Sequence, residues 1–438
     1  MPSAAALDVR QLIDERPLGG FQRMVIVLCG LIVLLDGFDA QVMGYVALEL
    51  GKTLHITRPE VGNVISAGLV GMMIGALLFG PVADRIGRRP VLLISLVVFG
   101  AGSLLTATAS SHDGLMAFRL LTGFGMGGAM PNAIALTAEF MPKRSRATAV
   151  TTMFCGFSIG AAAVGWVAAG VIPRWGWQGV FVIGGVLPLV IAAVSFVMLP
   201  ESIRFLLRRR ASDPRAARYL AKIAPGAPPG ELILSDEGAR GGFVLKQLFV
   251  AGRRWVTVLL WVMFFANLLD LYFVNSWMPT IMKDVGLPEK RAILITTLFQ
   301  VGGTAGAVVI GRLVDRSLSF RVLAIAYFAA AICVFLIGES GSSSVWLIIT
   351  VFASGFAVIG AQNGANAMAA EVYPTEARST GVGWALGVGR IGSIIGPMLG
   401  PMLMGGPTPR LFAYAAVPLM LATTAAMVAA ALRRDRFA

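Results

Sequence analysis

Apolar residues in this chain come in long, nearly unbroken blocks instead of the short alternation of a soluble strand or surface helix. Twelve blocks fall at about 24–47, 61–82, 90–109, 115–138, 147–171, 178–199, 255–280, 292–311, 322–338, 345–369, 381–403 and 411–432. A helix rises 1.5 Å per residue, so about 20 apolar residues cross the roughly 30 Å of a bilayer's hydrocarbon. Backbone polar groups there must be satisfied within the segment, and blocks this long suit helices instead of the ten-residue strands of a barrel. The pattern predicts an all-α membrane protein of twelve transmembrane helices. The expected divisions are a cytoplasmic tail at 1–22, six spans over 23–199, a cytoplasmic loop over 200–254, six more spans over 255–432 and a tail at 433–438.

Composition agrees: 57% of the 438 residues are hydrophobic and 13% are charged. The net charge of +13 raises the question of a nucleic-acid partner, and its distribution answers it. With the N-terminus in the cytoplasm, the inner face holds 27 of the 36 Lys and Arg. The outer face holds seven, Lys52, Arg58, Arg174, Lys283, Lys290, Arg291 and Arg410. That asymmetry is the positive-inside rule; it puts both termini in the cytoplasm and leaves no nucleic-acid reading. The opening segment is polar and acidic, unlike a cleavable signal. Cys29, Cys155 and Cys333 stand apart, and the two histidines fall in outer loops, so neither a disulfide frame nor a metal centre is expected.

The two sets of spans repeat one another. "GFGMGGAMPNAIALTAEFMPKRSRATAV" from Gly123 aligns without gaps with "GFAVIGAQNGANAMAAEVYPTEARSTGV" from Gly355, pairing Glu139 with Glu371 and Arg146 with Arg378. "GPVADRIGRRPVLL" at 80–93 matches "GRLVDRSLSFRVL" at 311–323, pairing Asp84 with Asp315. This parallel duplication predicts two pseudo-symmetric six-helix bundles around a central cavity, the architecture of a rocker-type transporter.

"GPVADRIGRRPVLL" resembles the loop signature of the major facilitator superfamily, and "PESIRFLL" after span six resembles its sugar and organic-ion branches. "DGFDAQVMG" in span one, "FRLLTGFGMGGAMPNA" in span four and "YFVNSWMPTIM" in span seven are similar to the aromatic acid:proton symporters, which carry 4-hydroxybenzoate, protocatechuate and benzoate. The superfamily resemblance implies a gate in which Asp84 meets the N-terminal end of span eleven, with Arg85, Arg88 and Arg89 on the same loop. Glu139, Arg146, Asp315, Glu371 and Arg378 would join that network. The second copy lacks the "GRR", so its lock should be the weaker one.

A charge near the bilayer centre costs about 2.5–3.5 kcal/mol on insertion scales, so it usually faces a cavity and a function. Rise per residue places Asp36 and Asp39 roughly 18 and 22 Å up span one, Asp270 about 21 Å up span seven and Arg390 about 15 Å up span eleven. Arg119 falls near the level of Asp39. Asp36 and Asp39 are three apart and share a helix face, where two carboxylates repel; such a set suits uptake and release of one proton, steadied by Arg119. The alternative is an ion pair that pins span one to span four. Arg119 aligns with Val351 and Arg390 with Ser158, so each arginine occurs in one half only. Charges present once suit the single central site. Arg390 is therefore the expected partner of a substrate carboxylate, through a guanidinium fork, unless it staples to Asp270. Asn267, Asp270, Val274 and Trp277 line one stripe of span seven, and Phe38, Tyr45, Asn275, Gln300, Asn363 and Trp384 are further candidates for a ring-bearing ligand, each also able to serve only in packing.

The glycine-rich stretches lie inside spans with no strand before them, so no nucleotide site and no cofactor is expected. The expected activity is proton-coupled import of a small aromatic carboxylate by a non-enzymatic, monomeric protein of the cell inner membrane, with protons and the lipid bilayer as further partners. Proton-driven efflux of aromatic or amphiphilic compounds, and an aromatic-acid sensor, are the alternatives.

Overall fold

The computed structural model describes residues 7–210, 213–225, 232–233, 248–249, 253–317, 320–341, 343–373, 378–404 and 408–434. Spans one to four are the helices Gly20–Leu54, Arg58–Ile86, Arg88–Ala107 and His112–Phe140. Spans five and six run within Arg146–Met198, which is broken at Gly176 (φ 65°, ψ −173°), a left-handed backbone position that favours glycine. Spans seven to twelve are Arg254–Asp284, Glu289–Ser317, Phe320–Glu339, Ser344–Val372, Arg378–Leu403 and Thr408–Arg434. All twelve expected helices are present, most extending past their apolar blocks into polar residues. Thr57 shows how one begins: its hydroxyl accepts from the Glu60 N–H while Glu60 accepts from the Thr57 N–H, closing a capping box before span two.

The loop after span six is partly helical, as its amphipathic pattern predicts. Ile203–Arg209 and Pro214–Ile223 bury Leu206, Leu207, Leu220 and Ile223. Leu7–Asp8 pairs in parallel with Leu232–Ile233, tying the N-terminal tail to this loop.

Helices in a bilayer gain little from the hydrophobic effect against each other, so close approach at small residues holds them together. The duplication is visible in these approaches. A Cβ on Gly123 of span four would strike the Gly68 carbonyl of span two, and one on Gly355 of span ten would strike the Phe299 carbonyl of span eight. Gly75 meets Phe124 as Gly306 meets Phe356, and Gly160 meets Leu34 as Gly392 meets Phe265. Each pair is the same contact, shifted by the repeat.

Contacts between the halves gather toward the end of the bundle opposite the chain's N-terminal tail. Arg58 pairs with Asp284 at 2.8 Å. The Ser66 hydroxyl donates to the Ile394 carbonyl at 2.8 Å, and Tyr45 and Thr297 share a hydrogen bond of 3.3 Å. Gly44 lies against the Asn275 carbonyl and Gly62 against that of Pro397. On the inner part, Gly80, Gly383 and Gly387 have open space where a Cβ would point. Asp84 is exposed and forms no ion pair with any described residue. The halves meet at the end of the bundle that carries Arg58 and Asp284.

Gly123→Val should abolish monodisperse, detergent-extracted protein, whereas Gly80→Ala should elute and melt like the wild type. Fluorescence-detected size exclusion on both variants checks this, and equal behaviour would contradict the packing account.

Candidate functional site

The charged layer expected at mid-membrane forms around span one. Arg119 and Asp39 make a bidentate pair, Nη1 to Oδ1 and Nη2 to Oδ2, both 2.8 Å, with both side chains buried. Gly68 leaves room beside the guanidinium, with the Arg119 Nη2 atom 3.5 Å from where a Cβ would stand. The Phe181 ring of span six covers it at 5.6 Å. Two parallel charge-assisted hydrogen bonds are the strongest arrangement open to a guanidinium and a carboxylate.

Asp36, one turn closer to the cytoplasm, is also buried, but its Oδ1 has no hydrogen-bond partner. The charged groups whose fields reach it are Arg390 of span eleven and Asp39 on its own helix. The structure thus sets a carboxyl group of one half within electrostatic reach of an arginine of the other. Arg390 is half-buried and donates from Nη1 to the Tyr272 hydroxyl at 3.3 Å. Tyr272 also closes a crevice of about 20 Å³ against Asp39, Arg119 and Met126, room for roughly one water. Asp39, Arg119 and Tyr272 thus line one crevice, which Arg390 adjoins through its bond to Tyr272, while Asp36 stands one turn from Asp39 on span one. Tyr272 was not among the expected residues. It sits two positions from Asp270, on the opposite face of span seven, so a search confined to the Asn267–Trp277 stripe passes over it.

Asp270 lies apart from this group. It is fully buried, both carboxylate oxygens lack hydrogen bonds, and no ion pair to Arg390 forms, so the staple between spans seven and eleven is not present. Its stripe packs inside the C-terminal half: Asn267 donates to Gln362 at 2.6 Å and Trp277 Nε1 to the Pro397 carbonyl at 2.9 Å. Gln300 donates to Asn275 at 2.8 Å, joining spans eight and seven. Tyr45 serves in the outer contact with Thr297, and Phe38 is buried near Gly184. Asn363 is exposed and bonds back to the Ile359 carbonyl, while Trp384 is 38% exposed and stacks on Trp261. Of these ring-binding candidates, Asn363 and Trp384 are the ones left with exposed surface.

At the cytoplasmic end a second network forms within the N-terminal half. Glu139 accepts from the Ser202 hydroxyl, from the Arg204 N–H at 2.6 Å and from Arg88 at 3.2 Å. Glu201 accepts from the N–H groups of Arg88, Arg89 and Ser202, filling the space that the positive-φ Gly87 leaves open. Arg89 donates to the Phe196 carbonyl, Arg85 and Glu371 are exposed, and the Arg146 Nε is buried without a partner. The side chains of Asp315 and Arg378 lie outside the described residues. Glu201 and Ser202 were legible only as part of "PESIRFLL"; the Glu201 bonds to the loop after span two and the Ser202 bond to Glu139 need the fold. Burial pushes the Glu201 carboxyl above its ordinary range, outweighing the downward pull of the Ser202, Arg89 and Arg88 N–H groups, and the neighbouring Glu139 adds to the rise. Among the described residues no cluster of metal-ligating side chains exists.

A duplicated twelve-helix fold enclosing buried charges between its halves defines a membrane transporter of the rocking type. The chain belongs to the Major Facilitator Superfamily, whose model matches residues 29–288 and 260–438. It is 42% identical to the gallate transporter of Pseudomonas putida, over 97% of this chain and 95% of that one. It is 41% identical to the 4-hydroxybenzoate transporter PcaK of the same organism, over 91% of this chain and 90% of that one. The crystal structure of a D-xylose-proton symporter superposes with a TM-score of 0.72 at 16% identity, covering 92% of this chain and 97% of that one, which bears on the fold alone.

Removing either partner of the Arg119–Asp39 pair strands a buried charge, and should cost about 3–5 kcal/mol. The double replacement by alanine should cost less than the sum of the singles in thermal melts; additive losses would show that the pair is not coupled. A second expectation concerns pH. Because the folded Glu201 binds its proton more tightly than the unfolded chain does, wild-type stability falls as pH rises from the ordinary carboxylate range through the raised value. Glu201→Gln should lack that fall, and parallel melting curves for the two proteins across pH 4–8 would contradict it.

Proposed function

We propose that this chain is a proton-coupled importer of a small aromatic carboxylate, residing in the plasma membrane with both termini in the cytoplasm. The observation that supports the reading is the buried Asp36 carboxyl group, whose Oδ1 has no hydrogen-bond partner, one turn from the Asp39–Arg119 pair and within the field of Arg390 of the other half. The printed substrates of the relatives, gallate and 4-hydroxybenzoate, support an aromatic acid as the cargo. A carboxylate needs a cation that stays charged when buried, and Arg390 supplies one that is bonded here to a neutral hydroxyl instead of an acid. Its guanidinium thus forms no ion pair with a carboxylate among the described residues.

Charge balance gives the coupling. With the anion absent, an ionised Asp36 offsets the field of Arg390. An arriving carboxylate takes that role, and two anions beside one arginine repel, so Asp36 binds a proton as the substrate binds. A monocarboxylate and one proton then cross together without net charge. The halves rock about the site, and the outer contacts through Arg58–Asp284, Ser66 and Tyr45 are those that must open to admit substrate. Asp84 and its loop are the proposed inner gate, disengaged in this conformation. Asp39 and Arg119 hold span one against span four and fix where Asp36 sits.

In proteoliposomes, uptake of labelled 4-hydroxybenzoate should rise with an inward proton gradient and collapse with a protonophore. Arg390→Ala should lower uptake efficiency by about 100-fold or more, the effect of unpairing a buried charge, without altering elution or melting. Uptake indifferent to the gradient, or normal transport by Arg390→Ala, would overturn the proposal.

A further inference from the structure

The cytoplasmic flank of the N-terminal half holds a cavity of about 410 Å³, well away from the Asp36 layer. Its charged walls come from two segments remote in sequence: Asp84, Arg85 and Arg88 at the foot of span two, and Arg204, Arg208 and Arg209 on the helix Ile203–Arg209. Arg88 is committed to Glu139. The other four arginines pair with no carboxylate among the described residues, so four guanidinium groups face the one carboxylate of Asp84. Arg215, on the helix Pro214–Ile223 and not in the cavity wall, pairs instead with Asp213. Inside-positive topology accounts for basic residues on this face, but not for four unneutralised ones converging on a single concavity.

We propose that this cavity binds the phosphate of an anionic phospholipid headgroup. A phosphate offers several oxygens to guanidinium forks and relieves the repulsion among them. The surroundings identify the source of the phosphate. Ile86 follows Arg85 and is 42% exposed. Arg89, on the same loop, lies 5.5 Å over the ring of Phe196, which begins an exposed apolar stretch through Val197 and Met198 at the inner end of span six. The cavity therefore opens beside surface suited to acyl chains, and Phe205 adds an apolar wall. Basic pockets between spans on the cytoplasmic side are where lipid headgroups are recognised. The cavity shares no residue with the proposed proton and substrate site.

The test uses full-length protein, delipidated in detergent and titrated in native mass spectrometry with phosphatidylglycerol, phosphatidylcholine or inorganic phosphate. Phosphatidylglycerol should bind about tenfold or more tightly than phosphatidylcholine and resist displacement by millimolar phosphate. Arg208 and Arg209 are exposed, so the double variant Arg208→Gln/Arg209→Gln should fold, and it should lose about 10- to 30-fold in phosphatidylglycerol affinity. Arg215→Gln, outside the cavity, should lose nothing. Equal binding of the two lipids, affinity unchanged in the double variant, an equal loss in Arg215→Gln, or ready displacement by inorganic phosphate would overturn the proposal.

Discussion

The low dielectric of the membrane interior makes every unpaired charge expensive, and the structure is arranged around that constraint. Asp39 and Arg119 meet it by pairing two-for-two, both side chains buried, beneath the Phe181 ring. That pair fixes the rotation of span one against span four and thereby delivers Asp36, three residues earlier, to the boundary between the halves. Asp36 itself is left incompletely bonded. An ion pair that served only to pin two helices would need one aspartate, and the second gives the first a reason to be held so firmly.

The same constraint explains how the two halves differ. Their scaffolds agree at several close approaches: the contacts of Gly71, Gly75, Gly123 and Gly128 in spans two and four recur at Gly302, Gly306, Gly355 and Gly360 in spans eight and ten. Their buried charges do not agree, because a central site is used once per cycle and needs one cation for one anion. Symmetric positions carry packing, whereas Arg119 and Arg390 each occur in one half only. The outer contacts are a weak exposed ion pair and a few hydrogen bonds, suited to an interface that must separate on each turnover.

Much of this could be read from the chain. Block length gave the twelve helices, and the repeat gave their division into two halves. Rise per residue put Arg119 level with Asp39, where the pair is found. Depth alone could not supply helix rotation, which is why Asp270 was grouped with Arg390 although it faces into the C-terminal half, and why Tyr272 was missed. Trp277 and Asn275 show the same limit, since aromatic and amide side chains along a span serve helix contacts as readily as a ligand. The Glu201 bonds to the span-two loop join segments more than a hundred residues apart, and the Ser202 bond reaches back to Glu139 at the end of span four, closures that no local pattern encodes.

The central claim is that binding of the aromatic anion and protonation of Asp36 are one event. Calorimetric titration of purified protein with 4-hydroxybenzoate, repeated in buffers of different ionisation enthalpy, counts the protons taken up on binding. The account predicts uptake of about one proton per bound anion at neutral pH and none in Asp36→Asn. Binding without proton uptake in the wild type, or undiminished uptake in the variant, would contradict it.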